Sequence, residues 1–424
     1  MSPDQLYADA VSHFRAERLD EAERLLRQVV EAAPRHAEAH HRLGVIAHLQ
    51  GRWAEAVELI RAAIGLGTAS AGHHFNLALA LHELDRYEEA AEACRAALRL
   101  KPDFVPALYT LGLSLKDLGR LDDAIAAYRA TSQRDPDFAE ARYGEGFARL
   151  LAGDLADGWR LYEWRRRLFP QRVVYPQPQW TGQDIGGRTL LIHAEQGIGD
   201  TIQFARYIPL AAARGAKVIL EVQPSLVRLM SGLADQVIGF GDPVPPVDFQ
   251  CPMMSLPLAL GGDIPADAPY LSANPDKRFS GAIGVAWRGN PRHGDDRRRS
   301  MTAEAMAGLF AGFGGTLVCL QKDRTEAERA AFSAFHMVDV ELADFAETAA
   351  VIAGLDRVVS VDTAVAHLAG ALGVPGRVLL AYAPDWRWGL GRGDSEWYPS
   401  LKLVRQEKPG GWETIRQQGK ELWG

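Results

Sequence analysis

Two stretches of this chain hold residue types whose spacing suits chemistry on a phosphorylated ligand. In "VVSVDTAVAHLAGALG", residues 358–373, a β-branched run ends at Asp362 and Thr363. An alanine-rich helical pattern follows and is closed by Gly373 and Pro375. Asp362 or Thr363 can cap that helix, and the open amides of its first turn, at the positive end of the dipole, suit a diphosphate. His367 lies one turn in, on the Thr363 face. It is either a donor to the same phosphate or a core histidine with an ordinary partner. In "LLIHAEQGIGDTIQFARYIP", residues 190–209, a strand pattern leads through Gly197 and Gly199 to a helix expected to begin at Asp200. The G-x-G-x-x-G spacing of a dinucleotide site is absent. The two glycines allow close backbone approach to a ligand, and Asp200 is either a carboxylate projecting into a cleft or a helix cap.

Positive charge for phosphate is available in "WRGNPRHGDDRRRS", residues 287–300. Arg288, nearest the preceding strand, is the first choice for a bidentate contact, ahead of Arg292, Arg297, Arg298 and Arg299. A mixed-charge loop of this kind is otherwise a solvated surface. Gln321 and Lys322 end another strand and reach a bound nucleoside or sugar by position alone. The aromatic segment 385–406 either lines a sugar pocket or fastens the chain end. No metal site is expected: Cys94, Cys251 and Cys319 are far apart, and His40 with His41, or His73 with His74, are adjacent and share no helix face.

The elements that must position these residues alternate strand and helix. Apolar runs at "RTLLIHA", "AKVILEV", "QVIGF", "AIGVAW", "TLVCLQ", "DRVVSV" and "RVLLAY" are separated by amphipathic patterns. This alternation predicts parallel sheets covered on both faces. A proline-rich connector spans 169–187, and "PADAPYLSANPDKRFSG" divides the α/β region beyond it. The expectation is two Rossmann-like halves, 188–272 on the acceptor side and 273–405 on the nucleotide side, with ligand between the carboxyl ends of their strands. Residues 406–424 are expected to form a helix packing back on the first half.

The first 168 residues repeat. Pro34, Pro102 and Pro136 fit a 34-residue grid with Thr68 at the missing node. Ala22, Ala56, Ala90 and Ala124 keep the same step, as do the small residues Gly44, Ala78, Gly112 and Gly146. Small residues permit close helix crossings and the prolines end each second helix, so the period predicts an α-solenoid of helix pairs. It resembles tetratricopeptide repeats, with Glu145 and Gly158 departing from the pattern in the last unit. Tyr7, His41, Phe75, Tyr109 and Tyr143 share the repeat position that in this family looks into the groove, where they would hold an extended peptide or simply pack between helices.

The Gly-Asp turn and the Asp-Thr-x-x-x-His turn resemble the heptosyltransferase-like glycosyltransferases of the GT-B fold, over residues 186–424. With the repeats, the whole is similar to bacterial tetratricopeptide-repeat proteins bearing such a domain, some of which glycosylate flagellin. The resemblance implies a base at Asp200 and a donor-diphosphate site at Asp362, Thr363, Ala364 and His367, although Ala364 stands where glycine is usual. It also implies a nucleotide-sugar donor, no further cofactor, and inverting transfer. Absence of a DxD motif near a strand end and of clustered histidines points to metal independence. A protein acceptor held by the repeat groove is the expectation, with an inactive scaffold or sugar-nucleotide-binding protein, and an enzyme acting on a cell-surface glycan, as alternatives. Net charge is −7 over 424 residues, which argues against general nucleic-acid binding. Neither a leader nor an apolar run of spanning length is evident, so a cytoplasmic protein is expected.

Overall fold

The grid of alanines and glycines is realised as consecutive helices in the computed structural model, which describes residues 1–67, 69–265 and 267–417. They are α1 (Pro3–Arg15), α2 (Leu19–Ala32), α3 (Ala37–Leu49), α4 (Trp53–Gly65), α5 (Ala71–Glu83), α6 (Tyr87–Leu100), α7 (Val105–Asp117), α8 (Leu121–Arg134) and α9 (Ala139–Leu151). In α2 the buried residues Ala22, Leu25, Leu26 and Val29 form one stripe at i, i+3, i+4 and i+7. Pro34, Pro102 and Pro136 fall two residues beyond α2, α6 and α8, where no amide is required. Thr68 lies outside the described residues. The glycine positions are steric necessities: a Cβ on Gly44 would sit 2.5 Å from Ile60 Cγ1, and one on Gly112 would sit 2.7 Å from the Tyr128 ring. Besides sequential packing, α3 lies against α5 and α5 against α7, so the odd helices line the inner surface. Glu145 is buried and accepts from Arg129 Nε at 2.9 Å.

The chain divides into two units, Met1–Ala148 and Arg149–Gly424. The first closes twenty residues before the repeat pattern does. The helix Leu155–Tyr162 belongs to the second unit because its fully buried Trp159 donates to Gly262 O at 2.9 Å and packs edge-on against Trp386, with ring centroids 5.2 Å apart. Arg165, also fully buried, is held there by Glu163, Glu195 and Ser255.

The second unit contains two wholly parallel sheets. The strands of the first are β1 (Thr189–His193), β2 (Lys217–Val222), β3 (Gln236–Gly239) and β4 (Phe249–Pro252), in the order β3-β2-β1-β4. The second sheet holds β5 (Ile283–Ala286), β6 (Thr316–Cys319), β7 (His336–Asp339), β8 (Arg357–Val361), β9 (Gly376–Leu380) and β10 (Leu401–Arg405), in the order β10-β9-β8-β5-β6-β7. Strand order reverses at β1 and between β5 and β8, the places where an α/β sheet opens a crevice. β4, β7 and β10 were not expected. "FQCP" is short and ends in proline, the edge strand "HMVD" is only half-buried, and "LKLVR" lies in the segment read as irregular.

One expectation about the C-terminus is corrected. The helix Trp412–Gln417 packs on the second half: Ile415 is buried with Met306, Leu309 and Phe310, and Trp412 packs against the same cluster. Residues 418–424 lie outside the described residues. The fastening onto the first half is performed instead by segment 385–406, whose buried Trp386 and Trp397 pack around Phe204.

Candidate functional site

At the carboxyl end of β1 the chain turns at Gly197 into the helix Ile198–Phe204, so Asp200 sits at the third helical position and not at the cap. Its Oδ2 reaches back to accept from Gly197 N at 2.8 Å. Gly199 faces a different neighbour from the one expected. A Cβ there would fall 2.8 Å from His367 Cδ2, so the glycine lets this helix press directly on the helix Ala364–Ala371. The two motifs, 167 residues apart at their aspartate and histidine, are therefore in contact.

At the end of β8, Thr363 is the cap, its Oγ1 accepting from Val365 N at 3.3 Å and pairing with Ser360 Oγ at 3.0 Å. The Asp362 carboxyl is pushed up to about 6 by burial and by the Asp385 carboxylate, with Arg299 acting in the opposite direction. His367 is buried, and burial together with Arg387, Arg206 and Arg299 holds its imidazole neutral, well below the usual histidine range. Its Nδ1 pairs with Tyr398 OH at 2.9 Å, its ring stacks on Trp388 at 5.3 Å, and its Nε2 lies 3.8 Å from Asp362 Oδ1. His367 is thus a packed, partnered residue that faces Asp362.

The cations are arranged differently from the expectation. Arg288 turns away toward Glu328, to which its Nε donates at 2.7 Å, and toward Asp323 O at 2.9 Å. Its hydrogen bond holds Glu328 down to about 2. Gln321 serves the same turn, its Oε1 accepting from Trp287 N at 3.2 Å and Arg288 N at 3.1 Å, while Lys322 is exposed. The loop arginine that acts on Asp362 and His367 is Arg299. A second cation, unforeseen, is Arg387. Buried and stacked 4.4 Å over Trp386, it donates to Asp385 Oδ1 at 2.7 Å, and also to Asp200 Oδ1 and Gln203 Oε1. Burial alone would depress its pKa, but Asp385 and Asp200 raise it well above the usual value and keep it charged. Only the "DWRW" composition hinted at it, in a stretch whose tryptophans read as packing.

This constellation is one cation, Arg387, joining the Asp200 turn of the first half to the Asp385 carboxylate of the second, which in turn acts on Asp362. Residues 311–391 match Glycosyltransferase family 9 (heptosyltransferase), and residues 7–72 and 81–143 match tetratricopeptide-repeat families. The chain carries tetratricopeptide repeats and a glycosyltransferase family 9 domain. The family 9 match includes Gln321, Lys322, Asp362, Thr363, Ala364, His367 and Arg387, whereas Asp200 and Arg288 precede it. A relative, Protein FlbA of Caulobacter vibrioides, is 26% identical over 312 residues, which is 62% of this chain and 51% of that protein. The chain thus spans about half the length of that curated relative. Among solved structures, that of YrrB, described as a TPR protein with an unusual peptide-binding site, shares 19% identity with a TM-score of 0.37, covering 39% of this chain and 86% of that one. A MamA structure shares 24% identity at 0.37, covering 41% and 98%. Among the described residues no helix is long and apolar enough to cross a membrane.

In the repeat unit, Tyr7, His41, Phe75, Tyr109 and Tyr143 are all half-buried. They do not stack into a continuous ladder. Phe75 leans on Phe104 at 5.2 Å, Tyr109 on Phe138 at 5.1 Å and Tyr143 on Phe147 at 6.5 Å, while Tyr7 OH accepts from Arg42 Nε at 2.8 Å.

Proposed function

We propose that this chain transfers a sugar from a nucleotide-sugar donor to a hydroxyl of a protein acceptor, the acceptor being recruited by the repeat groove. The observation that carries the reading is the contact of Gly199 with His367, which brings the Asp200 turn and the Asp362–Thr363 turn to one place within a family 9 setting. The acceptor oxygen attacks the anomeric carbon, its proton passes to Asp200, and the bond to the diphosphate breaks in a single, inverting displacement. Charge developing on the leaving diphosphate is met by the amino end of the helix Ala364–Ala371 and by Arg387 and Arg299, with no metal in the scheme. Thr363 and Ala364 shape that helix start, and His367 fixes it against Trp388 and Tyr398. Gln321 holds the Arg288 turn beside the nucleoside, with Lys322 exposed at its rim.

One feature favours the alternative of a nucleotide-sugar-binding scaffold without turnover: both oxygens of Asp200 are engaged, by Gly197 N and by Arg387. The two readings part in one experiment. Purified chain incubated with a panel of nucleotide sugars, with thermal shift naming the donor, releases nucleoside diphosphate and labels an acceptor protein if it is an enzyme. Thermal stabilisation with neither release nor labelling identifies a scaffold.

A further inference from the structure

The repeat unit contains a cluster that glycosyl transfer leaves without a role. Glu38 and His41 are one turn apart on α3, and His73 comes from α5, so the two adjacent-histidine pairs each give one member to a meeting between helices. The imidazoles of His41 and His73 lie nearly flat on one another, with centroids 3.9 Å apart and 24° between planes. The Glu38 carboxylate spans both rings, with Oε2 3.9 Å from His41 Nδ1 and Oε1 3.5 Å from His73 Nε2. One ligand atom from each residue lies within 4.8 Å of the others.

The ring nitrogens on the far sides are already fixed. His73 Nδ1 is 2.6 Å from Ser70 Oγ, and His41 Nε2 is 2.9 Å from the Asn76 side-chain amide. Ser70 Oγ can accept from His73 Nδ1–H, and the Asn76 amide, which presents Nδ2 to the ring, accepts from His41 Nε2–H once turned end for end; in that arrangement the inner nitrogens keep their lone pairs, the support ligating histidines need. His73 is 2% exposed, yet among the described residues its Nε2 is buried without a hydrogen-bond partner. Such a group is costly to leave unsatisfied, and here it points at a carboxylate.

We propose that Glu38, His41 and His73 form a site for a divalent transition-metal ion of the zinc class, bound through His41 Nδ1, His73 Nε2 and one Glu38 oxygen. Two imidazoles and a carboxylate suit zinc and its neighbours, whereas calcium and magnesium demand oxygen ligands. Bonds of about 2.0–2.1 Å require the ligand atoms to draw together to roughly 3.4 Å. The half-exposed Glu38 side chain supplies most of that movement. Such an ion ties α3 to α5 on the inner surface, beside the groove position His41, and keeps its fourth ligand place for water.

The test uses the full-length protein, stripped with a chelator, and zinc and cobalt ions as probes. Calorimetry is expected to show one equivalent of zinc bound, and cobalt to give the visible absorption of a tetrahedral site. His73→Ala, shown to be folded by circular dichroism, and Glu38→Gln, whose side chain is outside the core, should each weaken binding by at least about 10- to 100-fold, the scale set by the loss of outer supports alone. His40→Ala should leave binding unchanged. Absence of zinc binding by the native chain overturns the proposal, as does undiminished binding by Glu38→Gln together with a folded His73→Ala.

Discussion

Arg387 and Asp200, 187 residues apart in sequence, form a largely buried ion pair that bridges the two α/β halves. The guanidinium also holds Asp385 and Gln203, so one side chain gathers the acidic groups of both crevice edges. A buried pair of this kind contributes little net stability, because desolvation offsets the attraction. Its consequence is for chemistry. A carboxylate oxygen engaged by a guanidinium is not open to an acceptor hydroxyl, and a guanidinium is the natural partner of a diphosphate. Donor entry that draws Arg387 onto phosphate would release Asp200 at the moment a base is needed.

Asp200→Asn should therefore fold normally, since the amide oxygen still accepts from Gly197 N, and should bind donor at least as well as the native chain. Transfer should fall by on the order of 10²- to 10⁴-fold, the usual contribution of a positioned base. Rates of acceptor labelling measured beside donor calorimetry check both halves. A near-native rate would remove Asp200 from the mechanism.

Arg387→Gln should weaken donor affinity by about 1.5–3 kcal/mol, the worth of a charge-assisted hydrogen bond, and Arg387→Lys should recover part of it. Donor titration of the two variants, with unfolding curves to confirm their integrity, is the measurement. Unchanged affinity in a folded Arg387→Gln would make the residue a strut between the halves and nothing more.

The periodicities were readable because they report burial, and burial follows from residue type alone. The repeat grid predicted α1 to α9, and seven apolar runs predicted seven of the ten strands among the described residues. The placement of Asp200, Asp362 and Thr363 was legible because strand ends and helix starts leave local signatures. Arg387, Arg299 and the direct contact of Gly199 with His367 were not, since each depends on which loop folds onto which helix across long separations. Arg288 misled for the converse reason: proximity to a strand end does not reveal Glu328, which lies 40 residues on and captures the side chain. The His41–His73 pairing leaves no spacing signature, because the two rings come from helices of neighbouring repeats and not from one helix face.

Asp362 gives a pH dependence of defined sign. Its pKa is raised to about 6 in the folded chain, against about 3.9 when unfolded, so the folded state holds the proton more tightly. Its contribution to stability is complete below about pH 4 and is lost as pH rises through about 6, amounting to roughly 2–3 kcal/mol. Asp362→Asn does not titrate. The variant should gain stability relative to the native chain between about pH 4.5 and about pH 7.5, measured by urea unfolding. A constant difference across that range would show that Asp362 ionises as an ordinary carboxylate.

The acceptor reading rests on the half-buried rings of the repeat groove. Phe75 and Tyr109 each lean one edge on a neighbouring ring, Phe104 or Phe138, and are left partly open to solvent. Contacts remote from the reacting bond supply binding and not bond-making, so their loss appears in KM. Phe75→Ala with Tyr109→Ala, in the full-length chain, should raise the apparent KM for a protein acceptor and leave donor hydrolysis unchanged. Deleting the repeats back to Gly182 is the less informative route, because it removes Trp159 and Arg165 from the core of the α/β unit. The double substitution avoids that damage: neither ring is fully buried, and thermal unfolding reports any loss of the solenoid. If KM for the protein acceptor stays at the native value in a folded double variant, these rings take no part in choosing the acceptor. A parallel rise in KM and fall in donor hydrolysis would instead place their effect on the stability of the whole chain.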